Sequence, residues 1–234
     1  NDPLHIKFTK IDSTIYLNEV NAYVTSNPNE PSLRKAIDKN FMDAILYSYK
    51  IAAYNGDSTA VVIDVTPMFT TDMKEFAFLP TSIMGLIQVV TSFNKDGSAL
   101  GEIKAFDDNL TVKSMLSYKM SLKFMAFSIL DNMPLTATVT RSLLLLPEEK
   151  MRPRISDSRV GIFVTSKQHV STAKDGIQNY TLANRWRLEP RDEEAYRRGK
   201  PVEPVKPIVF YVDTLFPEAW KKPIREGVLK WNRA

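Results

Sequence analysis

The sequence predicts an α+β fold: a mainly antiparallel β domain of hairpins with short helices, followed by one strand and one amphipathic helix. Three patterns support this prediction. Apolar and polar residues alternate at the start of the chain, an Asn-Gly step separates two apolar runs, and residues 208–234 combine an apolar run with a helical repeat. A period of two is typical of strands, whereas apolar residues at steps of three and four are typical of helices.

The first part of the chain is predicted to form two strands, a short helix and a hairpin. The alternating apolar positions of the two strands are Leu4, Ile6, Phe8, Ile15 and Leu17. Residues 32–40 are predicted as a polar helix. The apolar runs 46–54 and 59–65 flank Asn55-Gly56 and predict a hairpin, because Asn and Gly tolerate the positive φ of a tight turn.

Further strands are predicted through the middle of the chain, separated by turn residues. Residues 68–76 are predicted as a helical or irregular segment. The predicted strands after it are residues 85–93, 102–106, 110–118, 136–146, 160–165 and 180–188. Turns are expected at residues 94–97 and a break at 131–134, while residues 120–129 fit either a strand or a helix. Residues 192–198 are predicted as a helical turn.

The end of the chain combines a predicted buried strand, residues 208–212, with an amphipathic helix. Its apolar face consists of Trp220, Ile224, Val228 and Trp231, at steps of four, four and three. Pro223 is expected to kink or restart this helix. Because the pattern still runs at the last residue, we expect these elements to begin a domain whose remainder is missing.

The composition is that of a globular chain. Of 234 residues, 44% are hydrophobic and 10% aromatic, which is enough for one sizeable core, or for one core and a fragment of a second. Lys and Arg number 31 and Asp and Glu 27, a net charge of +4 spread along the sequence. Nucleic-acid binding, which needs a clustered basic surface, is therefore not expected. The longest apolar runs are too short for a transmembrane segment.

Few residues in the chain suit common catalytic sites. There is no Cys, which excludes disulfides and thiolate chemistry. His5 and His169 are remote in sequence, so we expect no zinc site within this chain. No Gly-x-Ser-x-Gly step is present, and the eight glycines are scattered singly, unlike a phosphate-binding loop. A glycosidase pair of carboxylates stays an open alternative, because such residues need not be close in sequence.

The most distinctive polar segment is the proline-broken stretch 150–163, which we predict to be an exposed loop. It places Arg152, Arg154, Asp157 and Arg159 close together. The simplest interpretation is a solvated connection with local Arg–Asp pairing, which adds little stability.

Five stretches, taken in order, resemble a known family. They are residues 59–72, residues 144–148, residues 151–154 with 157–161, residues 185–189, and residues 204–212 with 225–228 and 231–232. The chain resembles the N-terminal part of large secreted bacterial zinc-dependent metallopeptidases, in which a domain of uncharacterised function precedes a metzincin-like catalytic domain. The resemblance covers most of the chain and is strongest from Leu144 onward.

The resemblance implies a downstream catalytic helix with the motif His-Glu-x-x-His-x-x-Gly-x-x-His, in which three His hold zinc and the Glu activates water. This motif is absent from residues 1–234. No zinc ligand or general base is therefore assigned, zinc is expected only in the missing catalytic domain, and this chain alone is predicted to be proteolytically inactive. The family also implies a secreted, periplasmic or cell-surface location.

Two roles follow from the resemblance. In the first, the region is a propeptide-like or chaperoning module, and Asp157, between Arg154 and Arg159, is the candidate carboxylate for the open zinc position of a latent enzyme. In the second, it is a permanent scaffold on its own downstream peptidase domain. Cleavage in the Pro-rich linker 201–207 favours the first role and an intact chain the second. Outside this family, a secreted β-rich module for glycan or protein is the alternative.

The predicted domains are a β-rich domain over residues 1–200, the linker 201–207, and the first strand and helix of a truncated peptidase domain over residues 208–234. The apolar helix face would then lack its natural partner. We expect it to pack against the β domain, to self-associate with a second copy, or to be poorly ordered, because an exposed apolar patch is costly in water.

Overall fold

The computed structural model describes residues 3–233 and confirms the α+β, mainly antiparallel β class. The strands are β1 Ile6–Ile11, β2 Thr14–Glu19, β3 Val24–Ser26, β4 Ala44–Tyr54, β5 Val61–Ile63, β6 Ser82–Ile83, β7 Ile87–Ala105, β8 Asn109–Phe124, β9 Phe127–Leu144, β10 Val164–Val170 and β11 Ile177–Ala183. The helices are α1 Pro31–Asn40, α2 Thr66–Phe69, α3 Glu193–Arg197 and α4 Glu218–Leu229, with short 3-10 helices at Lys74–Phe76 and Lys230–Arg233.

The described residues group into two compact units. The first contains residues 3–150 and Ser166–Tyr180, and the second contains Met151–Thr165 and residues 181–233. Residues 181–200 and the proline-rich stretch 201–207 thus group with the second unit. The domain boundaries predicted from the sequence stay a prediction.

The described part of the chain contains three sheets, and the two four-stranded sheets lie entirely in the first unit. One has the order β1-β2-β4-β5 and the other β6-β7-β8-β9, and both are antiparallel. The third sheet has the order β11-β10-β3, in which β10 pairs in parallel with β3. Consecutive antiparallel strands are joined by short connections, as expected for a hairpin-rich fold.

The core of the first unit lies between its two four-stranded sheets. Its buried residues come from β2, β4, α2 and β8, and they are Ile15, Leu17, Tyr49, Met68, Phe69 and Val112. Along β8 the buried and exposed positions alternate, with Leu116 fully buried and its neighbour Met115 47% exposed. This alternation is the period of two that a sheet packed on one face imposes.

The predicted hairpin at residue 55 is present, but its turn differs from the prediction. The amide of Asn55 donates to the carbonyl of Ala60 at 3.1 Å, and the amide of Ser58 donates to the carbonyl of Asn55 at 3.0 Å. The positive φ, 59°, lies at Ser58 and not at the Asn-Gly step. The side chain of Asp57 accepts hydrogen bonds from both Asn55 and Thr59, which stabilises this longer loop.

The predicted turn at residues 94–97 and the predicted break at 131–134 are both wrong. β7 runs through the first of these, where its pairing with β8 shifts register between Asn94 and Ala99. The Asn94 side chain accepts the Gly97 amide at 3.2 Å, so the turn residues form an irregularity inside a strand. Pro134 lies within β9, an edge strand of its sheet, where a proline without an N–H is tolerated.

The predicted strand at residues 208–212 is also wrong, because within the described chain these residues pair with no strand. An apolar run becomes a strand only where a neighbouring strand accepts and donates its backbone hydrogen bonds. The amphipathic helix that follows is confirmed as α4. Pro217 is its N-cap, and Pro223 lies inside the helix without ending it.

Candidate functional site

The predicted acidic residue of the polar loop, Asp157, is paired with Arg159. The Arg159 Nε lies 2.9 Å from Asp157 Oδ1, and the Arg159 Nη2 lies 2.6 Å from Oδ2. The backbone amide of Arg159 donates to the same carboxylate at 3.0 Å. These hydrogen bonds from Arg159 hold the pKa of Asp157 below its usual value. Both side chains are solvent-exposed, so the pair is a local ionic contact that leaves the carboxylate accessible.

Arg154, the third residue predicted for this loop, takes a different role. Its carbonyl accepts the amide of Ala183 at 2.9 Å, and Ser156 donates its amide to the carbonyl of Thr181 at 2.9 Å. Ile155 forms an antiparallel bridge with Leu182 between these two bonds. The loop is therefore fixed alongside the end of β11 by backbone pairing, which sequence reasoning missed because the pairing partner is remote in the chain.

After β11, residues 189–205 of the second unit form a loop whose two ends are joined by backbone pairing. Arg191 donates its amide to the carbonyl of Glu203 at 2.9 Å, Val205 donates to Glu189 at 2.8 Å, and Pro190 bridges Pro204. The proline-rich stretch 201–207 is thus partly held by pairing. The predicted helical turn is confirmed as α3, whose N-cap Asp192 accepts the amide of Ala195 at 2.8 Å.

The predicted interface face of α4 is largely in water. Trp220 is 62% exposed, Ile224 36% and Trp231 80%, while Val228 is half-buried. We predicted that this face would pack against the β domain or a second copy, or be poorly ordered. In the structure of this single chain the helix is formed, and most of the face is uncovered.

The C-terminal part of α4 lines a groove of about 1000 Å³ within the second unit. Residues from two other segments also line it, including Trp186, which is 62% exposed, and Phe210, which is 63% exposed. Of the four predicted helix residues, Val228 and Trp231 line this groove. The sequence identified the helix residues of the groove but not those of the other segments, which pair with each other at Pro190 and Pro204.

A second cavity, of about 470 Å³, lies in the first unit beside Arg141 on β9. The Arg141 guanidinium donates to the carbonyl oxygens of Phe69 and Phe76. Burial lowers the pKa of Arg141 below its usual value. Because Nη1 and Nη2 both donate to backbone carbonyls, we call Arg141 a clamp: it holds the segment between Phe69 and Phe76 in place.

Neither histidine lies in a metal-binding arrangement. His169 Nδ1 is 3.4 Å from Thr25 Oγ1, and the carbonyl of His5 accepts the amide of Val20 at 2.8 Å. Between residues 3 and 233, no three His, Asp or Glu side chains are grouped so as to hold a metal ion. In the same part of the chain, none of the helices has the length and apolar character needed to cross a bilayer.

No curated protein and no solved structure matches the chain. A family model does match it: the domain of unknown function DUF5117, over residues 2–191. The description of this family names no activity, so the resemblance to metallopeptidases stays a prediction. The matched residues include the loop of Asp157 and the groove residue Trp186, whereas α4 lies outside them. Because the match covers most of its length, the chain belongs to the DUF5117 family.

Proposed function

We propose that this chain is a non-catalytic region of a larger protein resembling a zinc-dependent metallopeptidase, and that its second unit is a docking surface for the downstream peptidase domain. The observation that carries the proposal is the groove lined by Trp186, Phe210 and Trp231. Each of these side chains is more than half exposed. The resemblance of the five ordered stretches supplies the identity of the partner.

The energetics favour a covered groove. Burying one large apolar side chain is worth about 1.5–3 kcal/mol, so three exposed aromatics are a substantial driving force for association. Contiguous apolar surface of this kind usually marks an interaction site. The ion pair between Arg191 and Glu203 lies on the groove wall and joins two residues whose backbones also pair, so it does not involve the aromatic side chains.

The propeptide-like and scaffold roles differ in what Asp157 does. Its exposed carboxylate is held by Arg159. In the propeptide-like role it would bind a metal in another domain, and in the scaffold role it forms only this local ion pair. In the proposed parent enzyme, Asp157→Ala would raise basal activity if the carboxylate occupies the open zinc position. Unchanged basal activity would leave the scaffold role.

The test begins with the native reading frame after Ala234, where a His-Glu-x-x-His motif is expected. The polypeptide encoded there is produced separately and titrated calorimetrically with residues 1–234. We expect association, with Trp231→Ser and Phe210→Ser binding at least about tenfold more weakly than the unmodified chain. Tyr196→Ser is the matched control, because Tyr196 is 60% exposed but does not line the groove. Absence of the motif would contradict the proposal. So would equal affinity of both groove variants and the unmodified chain for the downstream polypeptide.

Catalytic silence is tested on the same preparation. Residues 1–234 incubated with zinc and a mixture of unfolded protein substrates should release no peptides above the level seen with a chelator. Chelator-sensitive hydrolysis by this chain alone would contradict its assignment as non-catalytic.

A second candidate function is a glycan-binding module, which the exposed Trp186 and Trp231 in one groove favour, because sugars stack on aromatic rings. It predicts that soluble oligosaccharides change the tryptophan fluorescence of the isolated chain and that Trp186→Ser removes the change. Saturable oligosaccharide binding together with no association with the downstream polypeptide would establish this alternative over the first.

A further inference from the structure

The sheet of β6 to β9 ends in an uncharged apolar row that crosses all four strands. Ile83 pairs with Ile87, Ile87 pairs with Phe124, and Phe124 pairs with Phe127. The turns that connect β6 to β7 and β8 to β9 follow this row. Residues 83–87 and 124–127 contain no polar side chain. We call these residues the apolar tip.

Both turns of the apolar tip have a methionine where a hairpin usually has Asn, Asp or Gly. Met84 has φ 52° and is followed by Gly85 with φ 70°, and Met125 has φ 51°. A bulky side chain with positive φ is disfavoured, and apolar residues are unusual in exposed turns. Local sequence rules are broken in this way chiefly where a function requires it.

The apolar tip is open to solvent. Met84 is 91% exposed, Leu86 66%, Met125 80% and Phe127 74%. The next row of the sheet is polar, and it consists of Ser82, Gln88, Lys123 and Ser128. Lys119, also exposed, lies four residues from Lys123 on β8, further from the tip. On these strands the charged residue paired closest to the tip is Lys123, whereas Asp131, which accepts a hydrogen bond from Ser121 at 2.9 Å, lies further along β9.

We propose that the apolar tip enters the surface of a lipid bilayer containing anionic lipids. Met84, Leu86, Met125 and Phe127 would lie among the acyl chains nearest the headgroups. The polar row of Lys123 would lie at headgroup level, where each basic side chain is attracted to anionic lipid. Side chains without hydrogen-bonding groups suit this environment, because the hydrocarbon offers no partner to polar atoms.

A lipid surface fits the apolar tip better than a protein partner does. Four strands span only about 15 Å across, whereas a stable protein interface needs roughly 800 Å² on each side. Protein interfaces also carry about one hydrogen bond per 100–200 Å², and the side chains of the tip can form none. The inference does not depend on the proposed function, because the tip belongs to the first unit and the groove to the second.

The test is co-sedimentation of the whole chain with vesicles of phosphatidylcholine alone and of phosphatidylcholine mixed with phosphatidylglycerol. We expect binding to the mixed vesicles. The double variant Met125→Ser, Phe127→Ser should bind at least about tenfold more weakly, because two large apolar side chains no longer enter the bilayer. Both side chains are mostly in water in the structure, so their replacement leaves the core intact, which urea denaturation verifies.

Two controls separate the tip from other apolar surface. Met115→Ser changes an exposed residue in the middle of the same sheet and should bind as the unmodified chain does. Trp231→Ser changes the groove of the second unit and should also bind unchanged. Lys123→Gln should weaken binding to the mixed vesicles by about fivefold.

Several results would overturn the inference. One is the absence of vesicle binding by the unmodified chain, and another is a loss in Trp231→Ser or Met115→Ser equal to that in the tip variant. A third is tip-dependent association with the downstream polypeptide in place of vesicle binding, which would assign the tip to a protein interface.

Discussion

Arg141 Nη1 donates a hydrogen bond of 2.9 Å to the carbonyl oxygen of Phe69. The same guanidinium reaches Phe76 at 2.8 Å through Nη2. Arg141 lies on the edge strand β9, and Phe69 is the last residue of the short helix α2. One side chain therefore connects the edge of a sheet to the segment from Phe69 to Phe76. This segment contains only the short 3-10 helix Lys74–Phe76, so we expect its position to depend on the hydrogen bonds from Arg141.

Arg141→Met is therefore expected to destabilise the chain by about 2–4 kcal/mol, since two hydrogen bonds from a charged donor are lost and two carbonyls lose their partner. Urea denaturation measures the change. Arg154→Met is the control, because the Arg154 side chain is exposed and its structural contact is made by its backbone carbonyl. Equal midpoints for the two variants would show that Arg141 is not a clamp.

Neighbouring residues on β8 should respond very differently to truncation. Leu116 is 0% exposed, so Leu116→Ala is expected to cost about 2–5 kcal/mol through lost burial and the cavity left behind. Met115→Ala, one residue earlier on the opposite face, should change the free energy of unfolding by less than about 0.5 kcal/mol. A similar loss in both would mean that the outer face of the sheet is covered in solution.

Tyr49 should make the stability of the first unit sensitive to alkaline pH. Burial, with smaller contributions from the nearby Tyr47 and Asp64, raises the pKa of Tyr49 from 10.0 to about 12. The folded state therefore favours the neutral phenol. Its contribution is fully present below pH 10 and is lost as the pH rises through about 12.

Tyr49→Phe is expected to remove this part of the alkaline destabilisation. At neutral pH the variant should be as stable as the unmodified chain or more so, because the buried hydroxyl has no hydrogen-bond partner among the described residues. Urea denaturation as a function of pH provides the measurement, with the half-exposed Tyr23→Phe as control. Identical pH profiles for Tyr49→Phe and the unmodified chain would show that ionisation of Tyr49 does not contribute to the alkaline destabilisation.

The exposed face of α4 should cause concentration-dependent self-association of the isolated chain. Trp220→Ser with Trp231→Ser is expected to shift the distribution toward monomer, because both rings are more than half in water and favour burial against any apolar surface. Light scattering coupled to size exclusion measures the change. Tyr196→Ser should leave it unaltered, and a monomer at every concentration before mutation would refute the prediction.

Local patterns were sufficient for many elements. The alternation at Ile6 and Phe8 predicted β1, and the periodic Trp220 and Val228 predicted α4. The Asn55 region correctly predicted a hairpin, but its turn geometry depended on the side chain of Asp57. Residues 94–97 have the composition of a turn and nevertheless lie in β7, because pairing with β8 on either side outweighs local preference.

The candidate sites also differ in whether sequence spacing could predict them. Asp157 and Arg159 are two residues apart, so their pairing could be anticipated from sequence spacing. The groove could not, since Trp186 and Trp231, which both line it, are remote in the chain. The row from Ile83 to Phe127 likewise requires the register of four strands, which no local pattern contains.

The sequence by itself determined the class of the fold, the hairpin and helix periodicities, and the absence of a zinc-binding motif in this chain, since these depend on composition and near neighbours. Only the tertiary structure decided that residues 208–212 form no strand, that Arg141 clamps Phe69, and that apolar side chains gather at one end of a sheet. These outcomes depend on which distant segments pair, and pairing is decided by the hydrogen-bonding and packing partners that the whole fold provides.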